Sequence, residues 1–152
     1  MIKMYLNSKI KYLFIICFFC MLDQISKNYI NLNFNKLLNK DLLIFTIEFV
    51  RNYGASFNVF SGSRLFLSLI SVISSIALYY FIFISDNKFI NKYGLSFILA
   101  GSIGNGIDRI LNGYVIDFIK IKFIDFPVFN IADLVINVGV IILIANYLRY
   151  KN

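Results

Sequence analysis

The stretch Leu65–Ile84 reads LFLSLISVISSIALYYFIFI, twenty residues without a charge. At ~1.5 Å per residue, a helix of that length crosses ~30 Å, the thickness of a bilayer's hydrocarbon core. Working outward, three more apolar segments stand at about residues 10–32, 93–111 and 131–147. The expected fold is therefore a mainly α membrane protein: four transmembrane helices in one unit covering residues 1–152. Composition agrees. The chain is 59% hydrophobic, with a mean hydropathy of +0.75, against roughly 45–50% apolar for a soluble domain. Lipid has to cover the excess.

Residues 41–62 break the helical pattern. Phe45-Thr46-Ile47-Glu48-Phe49 alternates with period two, and Asn52-Tyr53-Gly54 supplies a turn. This reads as a small strand-rich cap lying on the membrane interface. The N-terminal segment resembles a secretory signal, with Lys3, Lys9 and Lys11 ahead of an apolar run, but Phe18-Phe19-Cys20-Met21 offers no small-x-small cleavage site. It is expected to remain as the first helix.

Basic residues in short loops set the orientation. With four spans, the termini and the loop at residues 85–91 share a side, which carries seven basic residues against Asp86 alone. The other side has eight basic and seven acidic residues. The first side is expected to be cytoplasmic. The total charge of +7 forms no basic stripe, so nucleic acid is not an expected partner.

The chain contains no histidine. Imidazole-based serine or cysteine catalysis and His-ligated zinc proteases are excluded. Cys17 and Cys20 stand alone in an apolar run, a poor metal site. No metal or organic cofactor is expected, and the remaining chemistry is that of carboxylates or lysine.

Charges inside apolar segments are costly and mark function by default. Asp117 and Asp133 lie in Val115-Ile116-Asp117-Phe118 and Phe129-Asn130-Ile131-Ala132-Asp133, read as the outer ends of adjacent helices joined by a short loop. Two carboxylates on one wet pocket can share a proton and activate water. Asp23 and Lys27 share a helix face, as do Asn105, Asp108 and Arg109. By rise per residue, Asp23 lies ~18 Å and Asp108–Arg109 ~22–24 Å into the bilayer. Asn130 is placed to brace Asp133, and Ala132 suits a tight contact. Asp125 is a weaker competitor, near Lys122 and Pro127 in an expected exposed turn. A Ser26–Lys27 peptidase is disfavoured, because adjacent helical residues do not face each other. A four-helix carrier or proton channel would explain Asp23 and Lys27 equally well, but would not need the residues around Asp133.

Five segments together carry a resemblance: Asp23–Lys27, Asn52–Phe57, Gly104–Arg109, Val115–Phe118 and Phe129–Asp133. In this order they resemble the signal peptidase II family, bacterial inner-membrane aspartyl proteases that process prolipoproteins. The resemblance implies four transmembrane helices with an extracytoplasmic cradle and a small helix. It implies a catalytic dyad of Asp117 and Asp133. Asn52, Asn105, Arg109 and Asn130 match polar substrate-groove positions, Asp23, Lys27 and Asp108 match a supporting network, and Gly54 and Ala132 are expected among the substrate-binding or supporting residues. The implied substrate is a signal peptide followed by a diacylglyceryl-modified cysteine, with membrane lipid as the other partner. Gly101-Ser102 departs from the family's usual Gly-Gly, and Ser56 stands where Ala is common.

Overall fold

The computed structural model describes residues 2–37, 42–54, 62–86 and 90–151. The order of elements is α1 (Ile2–Leu37), β1 (Phe45–Asn52), α2 (Arg64–Phe83), α3 (Lys92–Leu111), β2 (Val115–Ile121) and α4 (Ile131–Lys151). Part of the expected cap, Ala55-Ser56-Phe57 and the centre of the loop at 85–91 lie outside the described residues. Helix α1 runs past the expected 10–32 at both ends, and departs from helical geometry at Asn33, whose amide donates to the Tyr29 carbonyl (3.0 Å).

Among the described residues, three helices are long and apolar enough to cross a membrane: Ser8–Leu37 of α1, α2 and α4. Helix α3 falls short of that measure, which corrects the expectation of four such segments. The reason lies in its position. It packs against α1, α2 and α4, so its surface meets protein more than lipid. It can therefore carry Gly101, Gly104, Gly106, Asn105, Asp108 and Arg109. A methyl group on Gly101 would run into the Ala132 carbonyl oxygen, and one on Gly139 would lie 2.6 Å from the Gly94 oxygen. The missing side chains let the α3 and α4 backbones touch. These pairs place Gly94 beside Gly139 and Gly101 beside Ala132, so α3 and α4 run antiparallel.

Strands β1 and β2 form a two-stranded antiparallel sheet, pairing Phe45 with Ile121 and Asn52 with Val115. The cap thus has a second strand drawn from residues 115–121, which the sequence reading placed in a loop and a helix end. Successive side chains of a strand point to opposite faces. Ile116 and Phe118 pack with Ile30 and Leu37 of α1, while Val115 and Asp117 face a cleft. Between Ile47 and Val50 the register shifts by one residue, a bulge opposite Phe118.

A second core, of Ile16, Ile82, Leu95 and Leu99, joins α1, α2 and α3. Arg64 on α2 donates to the carbonyls of Arg109 (3.1 Å) and Ile110 (2.6 Å), capping the end of α3 beside Gly113, whose φ is +83°.

Candidate active site

The two focal carboxylates come together through one residue of backbone pairing. Phe129 adds to the free edge of β2: its N–H donates to the Ile119 carbonyl (3.0 Å), and its carbonyl accepts from Ile119 (2.8 Å) and Phe118 (3.0 Å). That clip sets Asn130 beside Asp117, and α4 starts at the next residue. Asp133 then falls in the first helical turn. Asn130 caps the helix, its Oδ1 accepting from the Asp133 N–H (2.9 Å) while Asp133 Oδ2 accepts from the Asn130 N–H (3.2 Å). The exchange has the geometry of a capping box.

A cleft of about 990 Å³ opens between the sheet, α2, α3 and α4. Asp117, Asp133, Asn52, Asn105 and Arg109 all line it. Asp117 is only 2% exposed and Asn130 fully buried behind it. Three asparagine amides reach the carboxylates. Asn52 Nδ2 donates to Asp117 Oδ2 (2.9 Å), Asn130 Nδ2 to Asp117 Oδ1 (2.6 Å), and Asn105 Nδ2 to Asp133 Oδ1 (2.8 Å).

Each amide is oriented from its other end by a group that can only donate. The Gly54 N–H holds Asn52 Oδ1 (2.9 Å), the Asp133 N–H holds Asn130 Oδ1, and the Lys27 ammonium holds Asn105 Oδ1 (2.9 Å). All three NH₂ groups are thereby turned toward the acids. Asn130 Nδ2 also lies 3.1 Å from Asn105 Oδ1, linking the partners of both carboxylates.

Behind this layer, Lys27 bridges Asp23 (2.8 Å) and Asp108 (3.0 Å), all three residues being buried. Asp23 Oδ1 accepts from the Ala132 N–H (2.9 Å), and Asp108 Oδ2 from the Ile116 N–H (3.1 Å). The network therefore grips both backbones that carry the focal acids. Gln24 joins it, donating to Asp23, Asp108 and the Gly104 carbonyl. Arg109 donates to the Gly54 carbonyl (3.1 Å), while its Nε is buried with no partner among the described residues.

Electrostatics separate Asp117 from an ordinary carboxylate. Burial first, and the charge of Asp133 second, push it from 3.8 up to about 6, although the amides of Asn52 and Asn130 pull the other way. Asp125, the competitor, is exposed and pairs with Lys120 at 3.3 Å.

Of the residues expected from sequence, Asn52, Asn105, Arg109, Asp117 and Asp133 line the cleft, Asp23, Lys27, Asp108 and Asn130 stand buried behind it, and Ala132 and Gly54 contribute backbone groups. Sequence reasoning missed Gln24, and also Ser71, Ser74 and Asn137 on the cleft wall. The available signal was spacing: Ser71 and Ser74 are three apart, and Asn137 follows Asp133 by four.

A bundle with a polar cleft, paired acids at its floor and apolar helices around it defines a multi-pass membrane enzyme. The family model described as signal peptidase (SPase) II matches residues 15–149. The chain belongs to the signal peptidase II family. It is 37% identical over 137 residues to the lipoprotein signal peptidase of Microcystis aeruginosa, covering 86% of this chain and 87% of that protein. With the Lactococcus lactis subsp. cremoris protein of the same name, identity is 34% over 133 residues, covering 85% and 87%. The match to the Gloeothece citriformis lipoprotein signal peptidase is 41% over 102 residues, 66% of this chain and 64% of that protein. A solved structure titled as a bacterial membrane enzyme aligns with a TM-score of 0.85 at 36% identity, covering 93% of this chain and 90% of that one.

Proposed function

We propose that the protein is an aspartic endopeptidase that removes signal peptides from prolipoproteins, cutting just before a diacylglyceryl-modified cysteine. Family membership supports the peptidase class and the prolipoprotein substrate. The observation that carries the aspartic mechanism is Asn130, which bonds both Asp117 and Asp133 at the floor of one cleft. The carrier or proton-channel alternative gains nothing from the family.

In this reading Asp117 and Asp133 share one proton. Asp117, held up to about 6, is the member that keeps it, and a substrate that displaces water from the cleft raises it further. Ionised Asp133 takes a proton from a water molecule, which attacks the scissile carbonyl. Asp117 hydrogen-bonds the developing oxyanion, and Asp133 then passes the proton taken from water to the leaving amine, so that the pair ends with one shared proton as it began. Arg109, held on the Gly54 carbonyl, sets a positive charge on the cleft wall beside both acids. Asn52 and Asn130 hold the Asp117 carboxyl in place, and Asn105 holds that of Asp133. No step requires a cofactor.

The whole chain, 1–152, acts as one domain with four spans, α3 being the protein-shielded one. The cleft faces the extracytoplasmic side of the cell membrane and the termini face the cytoplasm, as the loop charges favour. That geometry leaves diacyl chains in the outer leaflet while the peptide enters the cleft.

The test is incubation of purified protein with a lipid-modified precursor. Wild type is expected to release the signal peptide, and Asp117→Asn or Asp133→Asn to stay folded without turnover. Activity near wild type in either variant would remove the dyad.

A further inference from the structure

The cleft extends past Asn105 and Asp133 toward the middle of the bundle, and two polar side chains stand on that deeper wall. Ser102 precedes Asn105 by three residues on α3, and Asn137 follows Asp133 by four on α4. Those spacings keep each residue on the same helix face as its neighbour at the dyad. Because α3 and α4 run antiparallel, with Gly101 against Ala132 and Ile136, Ser102 and Asn137 lie at one level. That level is ~5 Å, one helical turn, below the dyad.

Among the described residues, neither side chain has a hydrogen-bond partner. Ser71 and Ser74 on the facing wall differ, since their hydroxyls bond carbonyls of α2 itself, Leu67 (3.0 Å) and Ser71 (3.1 Å). An asparagine amide brings two donors and an acceptor. At membrane depth, leaving them unmatched is costly. The wall therefore suits a ligand with donors and acceptors of its own. An acyl chain has none. An extended peptide has both, and its own N–H and C=O groups need partners inside a bilayer.

We propose that Ser102 and Asn137 form a subsite that hydrogen-bonds the extended backbone of the signal segment, one turn to the membrane side of the Asp117–Asp133 pair. This rests on the peptidase reading above. At ~3.3 Å per residue of extended chain, the ~5 Å step of one turn corresponds to an amide one or two residues upstream of the cut. The subsite keeps that stretch unwound, so that the scissile bond is presented to the dyad and not hidden in a helix.

The experiment compares steady-state cleavage of a lipid-modified precursor with three analogues, each carrying an ester in place of one of the first three amides upstream of the cut. An ester removes one N–H donor. Asn137→Leu and Ser102→Gly should each raise KM by about five- to tenfold, the equivalent of one hydrogen bond, with kcat little changed. One of the three esters should raise the wild-type KM similarly and add nothing further in Asn137→Leu. The smaller Asn137→Ser variant, which cannot clash, should behave in the same direction. Kinetics indifferent to both residues, or losses that add at all three ester positions, would overturn the subsite while leaving the peptidase intact. A wild-type protein that cuts none of the substrates would instead overturn the peptidase reading, and this inference with it.

Discussion

Replacing Lys27 with methionine tests whether the layer behind the dyad positions it. Lys27 is 2% exposed, and its ammonium has three partners: Asp23 at 2.8 Å, Asp108 at 3.0 Å and Asn105 Oδ1 at 2.9 Å. Methionine matches the length of the stem but leaves the buried carboxylates of Asp23 and Asp108 without their ion-pair partner. Removing one partner of a buried ion pair costs roughly 3–5 kcal/mol. In thermal unfolding, followed by tyrosine fluorescence since the chain has no tryptophan, that loss should lower the midpoint by on the order of 10 °C. The change should also reach the chemistry. Without the ammonium, Asn105 Oδ1 keeps only the 3.1 Å bond from Asn130 Nδ2, so its NH₂ is held less firmly on Asp133, and displacement of a reacting group by ~1 Å costs on the order of 100-fold in rate. Adding Asp23→Asn to the variant should recover part of the stability, because one uncompensated charge disappears. A Lys27→Met protein that unfolds at the wild-type temperature and cleaves at the wild-type rate would refute the argument.

Three further outcomes follow from the geometry. With Asp117 required in its protonated form, kcat/KM should fall about tenfold per pH unit above ~6, the limb that reports the free enzyme's acid; a profile flat to pH 8 would contradict it. The same raised value means that protonated Asp117 favours the folded state. Its stabilising effect is complete below 3.8, the ordinary value, and is lost as pH rises through about 6. The difference amounts to as much as ~3 kcal/mol. Asp117→Asn should therefore lack that pH dependence, as measured by unfolding between pH 4 and 7. Gly101→Ala should cost about 1–3 kcal/mol, because its methyl group would meet the Ala132 carbonyl oxygen, a backbone atom that cannot swing aside; Gly62→Ala, with nothing within 4 Å, is limited to backbone strain at its positive φ.

The membrane helices were legible because lipid imposes a composition that a short sequence displays openly. The strand carrying Asp117 was not, for a physical reason. Val115, Ile116, Asp117 and Phe118 are all buried, with one face against α1 and the other in the cleft wall. The alternation that exposes a half-buried strand is absent from such a segment. Its partner Asn52 lies more than sixty residues away, beyond any local pattern. Helix α3 was read as an ordinary span, although its glycines and charges describe a helix enclosed by others. Residues that gather at the cleft could be expected from sequence, whereas the orientation of the three asparagines could not. That orientation follows from which donor-only group stands behind each amide, and only coordinates bring Lys27 to Asn105 or Gly54 to Asn52.

The hydrogen bond from the Ala132 N–H to Asp23 joins residues 109 positions apart. Ribosomal synthesis delivers the first of these long before the second. Until the final helix has entered the bilayer, Asp133 has no place beside Asp117, and the first helix holds its charges without the backbone donor that completes them. A chain that has not yet added residues 131–151 therefore lacks one of the two carboxylates on which the proposed chemistry rests.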